Sequence, residues 1–309
     1  MKQNWNFTTG AELLALCGEG RSIPEVMIAR EEALTGLARE EILLGMEENL
    51  AVMRQSTAHG LEKGLRSMGG LVKGDARKVM EYAKGDALCG GSVCRAVAFS
   101  MATVECNACM GKIVAAPTAG ASGILPGVLL SCAENRGWGE EALASALLVA
   151  AAVGAIIARN ATTAGADGGC QAETGSAAAM AGAALVYLMG GSADASLQAA
   201  AIALKNVMGL VCDPIAGLVE APCVKRNALG AGNAMLSADL ALAGVRSVVP
   251  FDEVVECMGR VGRQLPAELR ETAQGGLAAT PTGRRIAREM SGREGQPGDQ
   301  GIPDQADGI

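Results

Sequence analysis

The chain is poor in aromatic residues and in histidine: its 309 positions hold two Trp, two Tyr, three Phe and a single His. So few rings leave little to stack against bases, and 26 Lys plus Arg against 33 Asp plus Glu give a formal charge of -7. Both features exclude the basic, ring-bearing surface of a nucleic-acid-binding domain. Strand signals are scarce too: Ile113–Ala116 and Val245–Val249 are short β-branched runs, each too short to build a sheet. The opening MKQNWNFTTGAELL lacks the apolar run of a signal peptide and reads as no transit peptide, which predicts a cytoplasmic protein. The longest apolar stretch, Ala142–Ala158, has 17 residues, short of the roughly 20 a spanning helix needs, and is rich in Ala without aromatic flanks. It reads as a buried core helix, with no membrane partner.

Half of the residues are apolar, so with few rings the core must be assembled from Ala, Leu, Val, Ile, Met and Gly, whose small side chains let helices approach closely. Ser22 with Glu25 forms a capping box, and Pro24 in the tolerated first turn predicts a helix from about Ile23. Ala38–Leu50 and Asp75–Lys84 read as amphipathic surface helices. From Ser92 onward the helical segments are apolar on most sides, with Gly90-Gly91, Gly190-Gly191 and Gly230 as punctuation. The expected fold is all-α: a single helical domain over residues 1–290 with Ala/Gly-rich buried helices, then a flexible C-terminal tail, 291–309, too polar to pack.

Two stretches resist the helical pattern. Ala115–Gly127 (AAPTAGASGILPG) and Gly209–Asn227 (GLVCDPIAGLVEAPCVKRN) are rich in Gly and Pro yet lie between strongly apolar helices. Backbone forced into an interior must have its polar groups satisfied, and loops so placed tend to carry function. Ten cysteines in a chain of this character do not suggest a disulfide framework. Cys106-Asn-Ala-Cys109 lacks the second pair of a zinc ribbon and the βαβ setting of a redox site, so it reads as two buried thiols on an apolar helix, behaving as small hydrophobes. Cys17, Cys132 and Cys257 read as core residues, while Cys89 and Cys94 flank a Gly-Gly turn with no role assigned. Cys170, Cys212 and Cys223 all fall in Gly- or Pro-bearing breaks, where turns can converge thiolates. By spacing alone they are either buried structural thiols or ligands of an iron-sulfur cluster, which cysteine thiolates normally hold.

GKIVAAPTAGASGILPGVL (111–129), GADGGCQAETGSAAAMAGAA (165–184), GLVCDPIAGLVEAPCVKRNA (209–228) and GGLAATPTGRRI (275–286) together resemble the alpha chain of iron-sulfur-dependent L-serine dehydratase, also called L-serine ammonia-lyase. The resemblance runs in order from about Ile23 to Met290. It implies deamination of L-serine to pyruvate and ammonia, and a [4Fe-4S] cluster held by Cys170, Cys212 and Cys223, which stand 42 and then 11 positions apart. It also implies substrate contacts from the loop of Thr118, Gly120 and Ser122, although Ser122 reads equally well as a helix N-cap before Ile124. Single-chain members begin with a separate domain that this sequence does not show, so the expected partner is a beta-type serine dehydratase chain within an oligomer. A C-terminal cysteine caps the open iron in some members; here the last cysteine is Cys257, so such capping is not expected.

Serine deamination needs a base for the Cα proton and an acid to help the β-hydroxyl leave. The lone His59 lies in a polar, solvated-looking segment, so the base is expected on the partner chain, with Glu173, Asp213 and Lys225 as local alternatives. Asp213 before Pro214 also reads as a turn cap, and Lys225 and Arg226 either offset the cluster's negative charge or face solvent. Two rivals remain open to the sequence. A pyridoxal-phosphate dehydratase would use Lys112 with the glycines at 120 and 123, but it needs a parallel sheet. A noncatalytic membrane or scaffold protein would use the Ala-rich helices.

Overall fold

In the computed structural model, which describes residues 4–18 and 20–292, the polar N-terminal third wraps an Ala-rich interior. The helices run α1 (Gly10–Cys17), α2 (Ile23–Thr35), α3 (Arg39–Gly60), α4 (Asp75–Tyr82), α5 (Gly90–Ala108), α6 (Ile124–Arg136) and α7 (Glu140–Asn160). They continue as α8 (Gly165–Gly168), α9 (Ser176–Leu188), α10 (Ala193–Asn206), α11 (Cys223–Leu242), α12 (Phe251–Gln264) and α13 (Pro281–Met290). Together they form a single all-α domain. Among the described residues there is no β-strand, only an isolated bridge between Cys212 and Arg270. The predicted tail, 291–309, lies outside the described residues apart from Ser291 and Gly292.

The local signals act as their chemistry requires. Ser22 Oγ accepts from Glu25 N–H while the Glu25 carboxylate accepts from Ser22 N–H, closing the capping box that starts α2. α3 extends ten residues beyond the amphipathic segment read from sequence, because Met53, Ser56, Thr57 and Gly60 continue one buried face at i, i+3, i+4 and i+7. Gly60 is where α3 meets α5: a Cβ there would lie 1.8 Å from the carbonyl oxygen of Ala102. Only a glycine allows the two backbones so close.

α9 is the centre. Every residue from Ser176 to Val186 is buried, and the helix packs against α7, α10 and α11. α7 contains the long apolar stretch; it is the one helix among the described residues long and apolar enough to cross a membrane, and 67% of its most apolar window is buried in the protein. Gly230, expected as punctuation, instead lies inside α11, where a Cβ would strike Ile124 at 2.3 Å. The two Gly/Pro-rich stretches are loops, half-buried for the most part rather than wholly interior, and shorter than read. α6 begins at Ile124, with Pro126 in the first turn where its missing N–H costs no bond, and α11 begins at Cys223 itself.

Candidate active site

Three connections meet at the ends of α8, α9 and α11. The first is the loop 115–123, whose single 3-10 turn, Ala119–Ala121, follows Thr118. The second is the junction after α8, where Cys170 precedes one π-helical turn, Gln171–Gly175, that leads into α9. Such single π turns recur at functional sites because they re-aim one side chain of an otherwise regular helix. The third is the loop 209–222, which carries Cys212 and delivers Cys223 at the start of α11.

Buried amides lock these pieces together. Gln171, fully buried, donates from Nε2 to the carbonyls of Gly168 and Met258 and accepts from Gly209 N–H at its Oε1. Asn227, also fully buried, accepts from Gly123 N–H and donates to the carbonyls of Gly120 and Cys223. One amide thereby sets the Thr118 loop against the first turn of α11. A fourth segment joins from the C-terminal side: Cys212 N–H donates to Leu269 O at 2.8 Å and Glu271 N–H donates to Cys212 O at 2.7 Å.

Between them lies a cavity of about 230 Å³, lined by Thr118, Gly120, Glu173, Cys212, Cys223 and Glu271 among others. Thr118 Oγ1 donates to Glu173 Oε1 at 2.6 Å, and the Cys212 thiol points at Glu173 Oε2 from 3.9 Å. Cys170 Sγ is 3.0 Å from Thr174 Oγ1 one turn on. Burial pushes the Glu173 carboxyl upward, with Glu271 adding to the effect and the Thr118 hydroxyl opposing it. Burial likewise raises Cys170 and Cys212, and pushes Cys223 up to about 12, with Cys170 and Glu173 adding repulsion. Each thiol is therefore protonated at neutral pH unless a positive group arrives.

The arrangement restricts what could bind. No group of three or more His, Cys, Asp or Glu among the described residues is set to hold one metal ion. A cluster makes a different demand, because its irons are separate and each takes its own thiolate. Three neighbouring thiols, each raised by burial and by acidic neighbours, suit such a group: its positive irons would stabilise the thiolates that burial disfavours. Arg226 faces Cys170 and favours its charged form.

Other residues singled out by sequence are placed elsewhere. Ser122 is fully buried, donates to Ala119 O at 2.8 Å and lies outside the cavity lining. Nor does it cap α6, whose N-cap is Gly123, because the 3-10 turn closes the hydroxyl back on its own carbonyl. Asp213 is held by Arg226 and by Leu277 N–H. Lys225, over half exposed, pairs with Asp75 outside the site. His59 stands in the last turn of α3, 3.3 Å from Glu62. In the CxxC, Cys106 is buried as expected, whereas Cys109 caps α5 and reaches Arg66 O. Cys17 is buried, but Cys132 and Cys257 are only half-buried. Cys89 is exposed and Cys94 half-buried at the start of α5. Lys112 is exposed, and the absence of strands among the described residues removes the sheet that the pyridoxal-phosphate rival requires. Glu271 and Asn227 escaped the sequence reading. Glu271 lies 59 positions beyond Cys212, in a segment whose signal is only the short ETAQ run before GGLAATPTG, and Asn227 has the sequence context of an ordinary helical Asn.

A family model described as the serine dehydratase alpha chain matches residues 18–278. The chain belongs to that family. It is 50% identical to a probable L-serine dehydratase alpha chain of Bacillus subtilis, over 87% of this chain and 90% of that one. It is 45% identical to the L-serine dehydratase alpha chain of Peptoniphilus asaccharolyticus, over 91% and 97%. A longer relative, the L-serine dehydratase of Streptomyces coelicolor, is 38% identical over 88% of this chain and 60% of its own length.

Proposed function

We propose that this protein is the alpha chain of a two-chain, [4Fe-4S]-dependent enzyme that deaminates L-serine to pyruvate and ammonia. The observation that carries the reading is one cavity lined by Cys212, Cys223 and Glu173, with Cys170 close enough to both thiols to repel their charged forms, in a member of the serine dehydratase alpha chain family. Relatives named L-serine dehydratase support the substrate, and the alpha-chain names of two of them support a beta-type partner. Oligomeric assembly in the cytoplasm, without nucleic acid or membrane, completes the proposal.

In the overall reaction the Cα proton and the β-hydroxyl leave serine together, giving aminoacrylate. Its imine tautomer takes up water to yield pyruvate and ammonia. A [4Fe-4S] cluster, when bound, supplies a Lewis acid for the hydroxyl, which is a poor leaving group by itself. Cys170, Cys212 and Cys223 would hold it, one thiolate each, and Arg226 would offset part of the resulting negative charge. Thr118, by donating to Glu173, fixes that carboxylate's orientation, and the glycine at 120 leaves the cavity side of the loop open. Ser122 supports this loop from behind rather than touching substrate. Of the local candidates for the base, Glu173 alone lines the cavity, since Asp213 and Lys225 are committed to ion pairs. The cavity lining contains no His, which favours a base delivered by the partner chain.

The test is anaerobic purification followed by iron and sulfide analysis, visible absorption, and a pyruvate assay with and without a beta-type chain. A broad visible band bleached by reductant, about four irons per chain and pyruvate formation with the partner are the expected results. Pyruvate formation by an iron-free protein would overturn the cluster.

A further inference from the structure

The cavity that Cys212 and Cys223 line also holds two carboxylates and, among its lining residues, no Lys, Arg or His. Glu173 is 9% exposed and held by Thr118 at one oxygen, leaving Oε2 with only the Cys212 thiol at 3.9 Å. Glu271 lines the same cavity. Its backbone sits in the left-handed region, φ 64°, which a side-chain-bearing residue adopts at a cost, and the bond from its N–H to Cys212 O pins it there.

The two side chains aim at the same place. The point where a Cβ on Gly165 would stand is 2.7 Å from Glu173 Oε2, 3.1 Å from Glu271 Oε2 and 3.2 Å from Cys212 Sγ. A Cβ on Gly120 would also crowd Glu173, at 3.0 Å from Oε1. Glycine at both positions lets the backbone pass this close to the carboxylates. The Arg226 guanidinium is committed to Asp213 Oδ1 and Val211 O. Two carboxylates facing one another repel, and a cation received between them relieves that repulsion.

We propose that Glu271, together with Glu173, receives the α-ammonium group of the amino-acid substrate and so selects a 2-amino acid over a 2-hydroxy acid of the same shape. The assignment rests on the serine reading above and adds to it the residue that recognises the amine. An ammonium carries three N–H donors, enough to serve both carboxylates at once. It also gives Glu173 a binding task, which leaves proton abstraction to another group.

The test compares L-serine with L-glycerate, which keeps the carboxylate and β-hydroxyl but replaces the ammonium by a hydroxyl. The full chain, purified anaerobically, is titrated with each by calorimetry, and its visible absorption is recorded separately. The wild-type protein should favour L-serine, and Glu271→Gln should weaken L-serine binding by about 10- to 100-fold, the range for a hydrogen bond to a charged group. L-Glycerate should bind Glu271→Gln as well as or better than it binds wild type, and the absorption should not change. Glu271→Asp should recover part of the lost selectivity, and Glu173→Gln should show the same selective loss. Equal weakening of both ligands, no change in either, or a wild-type protein that does not favour L-serine would overturn the proposal. Selective loss in a protein without iron would sustain the ammonium site while removing the cluster. A cluster-bearing, pyruvate-forming enzyme whose selectivity ignores Glu271 would do the reverse.

Discussion

Arg226 Nη2 lies 2.7 Å from Asp213 Oδ1, in an ion pair whose side chains are 13% and 4% exposed. The second Asp213 oxygen accepts from Leu277 N–H at 2.7 Å, and Arg226 Nη1 donates to Val211 O at 2.8 Å. One pair thus binds α11, the Cys212 loop and the turn before α13 into a single wall behind the cysteines. Removing one partner of a buried pair leaves the other charge uncompensated, at about 3–5 kcal/mol. Asp213→Ala should therefore lose stability on that scale in denaturant unfolding. A loss within experimental error would show that the wall stands without the pair.

Asn227 makes a different kind of link, neutral and entirely out of water. Asn227→Ala strands the buried Gly123 N–H at about 1–3 kcal/mol and leaves the part-buried Gly120 carbonyl without its amide partner. The expected outcome is a lower melting temperature together with reduced serine binding, because the Thr118 loop loses its tie to α11. Unchanged serine affinity in a destabilised variant would show that the loop is positioned by other contacts.

Serine replacements should separate the cysteines into two groups. Cys170→Ser, Cys212→Ser and Cys223→Ser should each deplete iron, while Cys106→Ser and Cys109→Ser should retain it. Equal iron content in all five variants, measured after anaerobic reconstitution, would count against the ligand assignment.

What the sequence discloses about this site follows the range of the interactions involved. The capping box at Ser22, the apolar run of α7 and the Gly/Pro breaks are local, and each element follows from residues within a few positions. The three cysteines stand out as a set only because their surrounding segments resemble a known family. Lys225 and Arg226 show where local reading ends. They are neighbours in sequence, yet a helical step of about 100° turns the first outward to Asp75 and the second inward to Asp213. Glu271 reaches the cavity only through a two-bond backbone bridge to Cys212, which no periodicity announces.

Glu105 offers a pH test remote from the cavity. It is 1% exposed, accepts from Ala76 N–H at 2.7 Å, and its Oε2 has no partner. Burial pushes its carboxyl up from 4.5 to about 7; Asp75 adds to the rise, while the Ala76 N–H and Lys225 oppose it. Between those values the folded chain holds a proton that the unfolded chain has released, so stability falls as pH rises from about 4.5 to about 7 and then levels. The total is on the order of 3 kcal/mol. Glu105→Gln should flatten this decline in denaturant unfolding at pH 5 and pH 8. An equal decline in the variant would assign the effect to other groups.

The final expectation concerns the proton that must leave Cα. His59 is at the end of α3 and faces Glu62, Asp213 and Lys225 are committed to ion pairs, and Glu173 is assigned to the substrate's ammonium. The isolated chain should therefore bind L-serine yet turn it over slowly. A positioned general base contributes roughly 10²- to 10⁴-fold, so a beta-type chain that supplies one should raise the rate by that factor while changing serine affinity much less. Calorimetry on the isolated chain and pyruvate release with and without the partner separate the two quantities. Full turnover by the isolated chain would place the base within these residues. Glu173→Ala and His59→Ala would then be compared by the rate each loses, and a Glu173 variant that bound serine normally but lost turnover would also withdraw its ammonium role.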